Sequence, residues 1–339
     1  MADIALDTIK EETLLQTRIR DLPLQIPGTW LEQAITTLYR ELDQKQIPFH
    51  PECYLADEWF SPDGEPVIGI PFYLAHPRLI ALEEHIMLEA EGSNPEWCMR
   101  LLRHEAAHAL SHAYRLQKLP NWRRTFGNPA QPYAPETARP RLYSRGFVTN
   151  LEKGYAQSHP DEDWAETFAV WLNPESHWAT QYRGWPALKK IQYVDRLMRG
   201  VHRRRPVTKR PQKICQASRL QTRLGKHYAH KRSFYREEFP EFFDSDLMKI
   251  FSADETEAPG GQARRFLEKH RRRLSTTVAN WSRARRYTVD GLLKKLIARC
   301  AALKLHVKKT EAETVLEVSA YLTTLALNHF YTGKLKRTR

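Results

Sequence analysis

The sequence predicts an α+β fold: a small β-sheet with packed helices, followed by a second, mostly α-helical domain rich in basic residues. Three observations carry this. Apolar residues recur at helical spacing over most of the chain, and two short aromatic and β-branched runs, CYLADEWF (53–60) and VIGIPFYLA (67–75), read as strands. Charge then divides the chain: residues 1–200 hold 21 basic and 27 acidic side chains, residues 201–339 hold 32 and 13. The basic excess belongs to the second part alone, which suits it to a polyanion or an acidic partner.

The 339 residues are 41% hydrophobic and 27% charged, which excludes general disorder and is enough chain for two cores. Helices are expected over 6–20 and 30–46, separated by the prolines of DLPLQIPG, as an N-terminal extension (1–48) to a core of about 50–200. The two strands flank SPDGEP, a turn-forming cluster, so a hairpin is expected. Pro71 cannot donate to a ladder, which places the second strand at an edge or a bulge. From its place before the H-E-x-x-H helix, the hairpin could offer an edge to an extended peptide, with Pro71 counting against a regular edge. A helix over 77–90 follows, then one over 95–118. Residues 120–150, rich in Pro, Asn and Arg, read as an irregular segment. Helices over 160–173 and 185–199 close the first domain (1–200). RGVHRRRPVTKRPQK (199–213) contains a basic, proline-containing linker (201–213), and 214–339 form the basic helical domain, with 251–262 as a loop and Thr310 and Glu313 as a capping box for the last helix.

Four cysteines, Cys53, Cys98, Cys215 and Cys300, lie far apart with no C-x-x-C pair, which argues against a disulfide framework and a thiolate metal site. The acidic N-terminus MADIALDTIKEE lacks the pattern of a signal peptide, and no run of 18 apolar residues occurs. A soluble cytoplasmic protein without a transmembrane segment is expected.

The chemistry concentrates in RHEAAHALSH (103–112), with histidines at four-residue steps: His104, His108 and His112. Neighbours at this spacing share a helix face about 6 Å apart and can hold one ion, whereas His104 and His112 stand about 12 Å apart and cannot. His104-Glu105-Ala106-Ala107-His108 is H-E-x-x-H, the pattern in which two imidazoles bind zinc and the glutamate works on water. Such a site needs a third protein ligand and a vacant position. HPDEDWAETFAVWL offers one: Glu162 and Glu166 share a helical face with Ala165 and Ala169, which lets a second helix approach Ala106 and Ala107, while Trp164, Phe168, Trp171 and Leu172 point toward a core. Asp161 and Asp163 compete with Glu162, because acids at a helix start also serve the dipole.

H-E-x-x-H followed some fifty residues later by a helical glutamate, with a second acid four positions on, resembles the gluzincin metallopeptidases. More closely, RHEAAHAL with YAQSHPDEDWAETFAVWL and YRGWPALKKIQYVDRLM resembles a bacterial family of zinc-binding metallopeptidases, over roughly residues 50–200. The resemblance implies a zincin-like domain that hydrolyses a peptide or amide bond of a peptide or protein substrate. It implies one Zn2+ held by His104, His108 and Glu162, with Glu105 as general base and Glu166 as a carboxylate orienting a ligand imidazole. Tyr155 matches a tyrosine that lethal-factor-like gluzincins place beside the metal, where a phenol can donate to an oxyanion. His159 and Arg145 are further donors, and His112 stays off the metal. A rival reading makes the basic region the working part, a nucleic-acid binder with a structural or degenerate zinc domain: RRR (203–205), HRRR (270–273) and RARRY (283–287) near Trp281 supply cations with aromatics.

Overall fold

The computed structural model describes residues 5–87, 89–132, 141, 144–152, 154–206, 211–234, 243–254, 260–282 and 284–332. Parts of three expected segments, 133–140 with 142 and 143, 207–210 and 255–259, lie outside them, as does Arg283. The chain divides into two compact units, residues 1–86 with 90–227, and 228–339 with 87–89. The expected α+β class holds.

The first unit opens with α1 (Glu11–Gln16) and α2 (Trp30–Gln44), both shorter than expected. Strands β1 (Glu52–Ala56) and β2 (Val67–Pro71) follow, then α3 (Pro77–Met87) and α4 (Pro95–Tyr114). After α5 (Pro120–Phe126) come α6 (Pro160–Leu172), the single turn α7 (Trp178–Gln181) and α8 (Ala187–Arg199). Asn94 caps α4 by accepting from the Trp97 amide, with Pro95 in the first turn, where its missing N–H costs nothing. Arg115, in a left-handed conformation at φ 51°, ends it.

The expected hairpin is corrected. β1 and β2 pair in parallel, Glu52 opposite Val67 through Ala56 opposite Pro71. The turn cluster does reverse the chain, but the antiparallel partner it supplies is Phe60 alone, which exchanges both backbone hydrogen bonds with Gly69 (2.8 and 3.4 Å). The backbone groups of successive strand residues point to opposite edges, so β2 is paired with β1 on one side and with Phe60 on the other. That occupies the edge on which peptide addition was expected. A Cβ on Gly69 would lie 2.9 Å from the Ala56 Cβ and 3.0 Å from the Phe60 ring, so glycine is what admits both neighbours. Pro71 ends the strand, past the last pair that needs an N–H.

Residues 211–227 return to the first unit, so the observed division falls after the expected linker. Gln212 N–H donates to Glu65 (2.8 Å), Tyr54 Oη donates to the Ile214 carbonyl (2.9 Å), and Leu224 N–H donates to the Thr17 carbonyl (2.9 Å). Each of these bonds has a backbone group of 211–227 as one partner, and such a partner carries no side-chain pattern for a sequence reading to detect. Helix α9 (Leu224–Phe234) spans the point of division.

The second unit contains α10 (Asp244–Ile250), β3 (Phe251–Ser252), α11 (Ala263–Ser282), α12 (Arg286–Ala302), β4 (His306–Val307) and α13 (Glu311–Thr332). Its core is built on Phe243, Leu247, Phe251, Leu267, Leu274, Leu293, Leu296 and Leu322. Two bidentate pairs, Arg271–Asp290 and Arg299–Asp244, bind α12 to α11 and to α10 with N–O distances of 2.6 Å. Thr310 and Glu313 form the expected capping box, each side chain accepting from the other's amide (3.1 and 3.3 Å). The antiparallel pair β3–β4 falls partly in the expected loop, being too short to show a strand period. All four cysteines are free, and among the described residues no helix is long and apolar enough to cross a membrane.

One buried pair anchors the helix that carries H-E-x-x-H. Arg103, beside His104, donates from Nε and Nη2 to both carboxylate oxygens of Glu41 on α2, each at 2.7 Å. Both side chains are at most 10% exposed. Removing one partner strands the other charge away from water. Arg103→Leu alone is therefore expected to lose about 3–5 kcal/mol of stability, and Arg103→Leu with Glu41→Leu to recover most of it, as measured by urea denaturation.

Candidate metal centre

Helices α4 and α6 meet through small residues. Ala106, Ala107, Ala165 and Ala169 are fully buried, and the Trp164 indole N–H donates to the Ala107 carbonyl at 2.9 Å. Trp164 thus reaches α4 as well as the core, where the sequence placed it on the opposite side. The rest of α6 is enclosed too: Phe126 of α5 lies edge-on to Trp164, Lys190 of α8 binds Asp163 (2.6 Å), and Trp171 donates to Asp195. His159 caps α6, its Nδ1 accepting from the Asp161 amide, while its Nε2 lies 3.0 Å from the Gln131 carbonyl. It serves to hold the helix start.

This packing brings three side chains together. The His104 Nε2 lies 3.0 Å from Glu162 Oε2 and 3.2 Å from His108 Nε2, and the remaining separation, His108 Nε2 to Glu162 Oε2, is 3.6 Å. Tetrahedral zinc with bonds of about 2.0–2.1 Å spaces its ligand atoms about 3.3 Å apart, so the triangle has the size such an ion requires. Among the described residues these three alone form a group of metal-ligating side chains.

On its other nitrogen, His104 is held by Glu166: Nδ1 and Oε1 are 3.0 Å apart. Glu166 is completely buried and also accepts from the amides of Asn150 (2.7 Å) and Leu151 (3.0 Å). Asn150 Nδ2 donates to the Arg100 carbonyl on α4 (3.2 Å), which ties the same loop to the histidine's helix. A carboxylate so held keeps a proton on Nδ1 and turns Nε2 toward Glu162 and His108. Neither Asn150 nor Leu151 was foreseen, because a backbone amide leaves no mark in a sequence.

Charge agrees with geometry. Burial disfavours a charged His104, but the carboxylates of Glu162 and Glu166 outweigh it and raise its pKa well above the usual value. Burial likewise works against ionised Glu162, and the two imidazoles overcome it and hold its pKa well below the usual range. Glu105 is 7% exposed, and burial raises its pKa against the opposing pull of His108 and His104. Among the described residues no lysine or arginine pairs with Glu105, Glu162 or Glu166. Three buried carboxyl groups around two imidazoles make a site whose charge a divalent cation balances, with the proton between His104 and Glu162 in the place that the cation would take.

The other expected residues fall as follows. The Tyr155 ring lies against His104, with centroids 5.6 Å apart. Asp163 faces Lys190 rather than the histidines, and burial pushes its pKa up to about 7. Asp161 caps against His159, 3.4 Å from Nδ1. Arg145 stacks over Trp185, its centre 5.7 Å from the ring. His112 is outside the group: its Nδ1 accepts from the Gly64 amide at 3.2 Å.

Residues 99–197, from the second turn of α4 into α8, match a family model described as "Putative zinc-binding metallo-peptidase". The match contains both halves of the cluster and bears out the resemblance over that stretch. No curated protein and no solved structure matches the chain.

Burial, reinforced by the neighbouring His108, pushes the His112 pKa down to about 4. In the unfolded chain the same imidazole takes its proton near pH 6.5, so between these values the unfolded state binds more protons. The stability contributed by neutral His112 is accordingly complete above about pH 6.5 and is lost as the pH falls toward 4. An NMR titration is expected to find the His112 ring neutral at pH 6, and a midpoint near 6.5 would contradict this.

Proposed function

We propose that this chain is a zinc-dependent peptidase in which His104, His108 and Glu162 hold one zinc ion and Glu105 acts as general base. The observation that carries the reading is the triangle of three ligand atoms on two buried helices, with Glu166 behind the first histidine. The family match over 99–197 supports the same reaction class. Zinc bound there would supply Lewis acidity, lowering the pKa of a water in its open position and polarising a scissile carbonyl.

The chain's own residues supply the rest. Glu166 keeps the His104 proton on Nδ1, so Nε2 is available as a ligand without a competing tautomer. Glu105 follows His104 on α4, and its raised pKa suits it to take a proton from water and return it to the departing amine nitrogen. Tyr155, packed on the His104 ring, would donate from its phenol to a developing oxyanion. The substrate is then a peptide or protein.

Glu105→Gln preserves the shape of the side chain and removes its basicity. The expected outcome is zinc content equal to that of the parent protein and peptide cleavage slower by about 10²–10⁴-fold. Metal analysis alongside hydrolysis of a quenched peptide library checks both. A parent protein that takes up no zinc, or a variant that cleaves at the parental rate, contradicts the assignment.

A further inference from the structure

One helix of the second unit carries a dense run of basic charge. Helix α11 carries six cations within ten residues, Arg264, Arg265, Lys269, Arg271, Arg272 and Arg273, against one carboxylate, Glu268. Three of these are paired within the unit: Arg264 with exposed Glu268, Lys269 with exposed Glu311, and Arg271 in the bidentate bond to Asp290. The others point outward. Arg265, Lys269, Arg273, Thr277 and Trp281 are all exposed and follow one another at intervals of four residues, so they form one ridge of the helix. A four-residue step advances about 6 Å along the axis and turns about 40° around it, so the ridge spans about 24 Å of the axis while winding about 160° around the helix, a path that a flexible strand can follow. Arg272, Thr276 and Asn280, also on the outer side of the helix, run alongside it. Lys269 has only an exposed partner, Glu311 at 3.0 Å. Among the described residues, Arg265, Arg272 and Arg273 meet no carboxylate within ion-pair distance.

Trp281 ends this row 79% exposed, the most exposed of the large hydrophobic side chains among the described residues. An indole left in water is a large flat apolar surface with an N–H donor, available to a partner. The apolar face of α11, formed by Leu267, Leu274 and Val278, is buried in the core of the unit and is not available to enter a bilayer. A membrane surface would thus gain one indole and no apolar stripe. An acidic protein would satisfy the cations but would give the indole no particular partner.

A polynucleotide single strand satisfies both. Its phosphates take the arginines, which hold phosphate oxygens with a planar fork, and an unpaired base offers a flat face to the indole. In a duplex the bases are already stacked and the indole would stay unused. We propose that the ridge Arg265–Lys269–Arg273–Trp281 on α11 binds a single-stranded nucleic acid, with phosphates along the cations and a base stacked on Trp281. This surface is independent of the metal centre and of the function proposed for it.

Fluorescence anisotropy of a labelled oligothymidylate about 20 nucleotides long, titrated with the full chain over a series of salt concentrations, tests this. Binding is expected to weaken with salt. Arg265→Gln with Arg273→Gln is expected to reduce the magnitude of the log–log salt slope by about 1.4, that is about 0.7 for each phosphate no longer neutralised. Trp281→Ala is expected to lower affinity about 5–150-fold with the slope unchanged, and Trp281→Phe to restore most of it. All of these side chains are on the surface, and circular dichroism should be the same for every variant. An oligouridylate in parallel distinguishes RNA from DNA, and preference for either supports the proposal. It is overturned by absence of binding at about 50 mM salt, by equal affinity for the matching duplex, by tighter binding to anionic vesicles, or by affinity indifferent to Trp281→Ala.

Discussion

The hydrogen bond between His104 Nδ1 and Glu166, in the interface of α4 and α6, is the interaction on which the arrangement of the centre depends. Burying a carboxylate completely is costly unless its lone pairs are filled, and here they are filled from two sources. The imidazole takes one oxygen, and the amides of Asn150 and Leu151 take positions on both. The same bond therefore fixes the ring's rotation, its tautomer and the path of the loop at 150–151. Once the ring is fixed, its Nε2 lies between Glu162 and His108, and the triangle follows from the helices' own geometry.

Packing supplies the distance that this bond needs. Two pairs of buried alanines let the helices approach closely enough for side chains as short as glutamate and histidine to meet. The indole of Trp164 satisfies a carbonyl of α4 across the same interface, so even the large residue beside the alanines locks the two helices together. On the far side of α4, the Arg103–Glu41 pair holds the residue preceding His104. The histidine is thus constrained from two sides, by an ion pair behind it and a carboxylate ahead, which is the rigidity that a preorganised site requires.

How much of this was legible in the sequence follows the nature of each signal. His104, His108 and a carboxylate of the 160–166 segment could be placed on facing helices because helical periodicity is regular and the alanines marked a close approach, whereas the choice of Glu162 over its neighbours and the place of Glu166 behind a histidine came from the family resemblance. The capping box of α13 was legible for the same reason, being a local pattern in which both partners lie within four residues. The hairpin expected at 53–75 did not form because turn residues establish that the chain reverses, but not which residue becomes the partner. Phe60 took that role, and β1 moved to the other edge of β2. The return of residues 211–227 to the first unit rests on backbone hydrogen bonds to Thr17, Ile19 and Arg20, and such bonds are blind to side-chain identity. Asn150 and Leu151 escaped notice on the same ground.

A metal surrounded by nitrogen and oxygen side-chain atoms of α4 and α6 is the centre of the proposed chemistry. X-ray absorption at the zinc edge of the full chain loaded with zinc examines that directly. The expected spectrum has a first shell of nitrogen and oxygen alone at about 2.0–2.1 Å, with the outer-shell scattering of two imidazoles and with one imidazole lost in His108→Ala. A sulfur shell near 2.3 Å, or a spectrum that His108→Ala leaves unchanged, would contradict it.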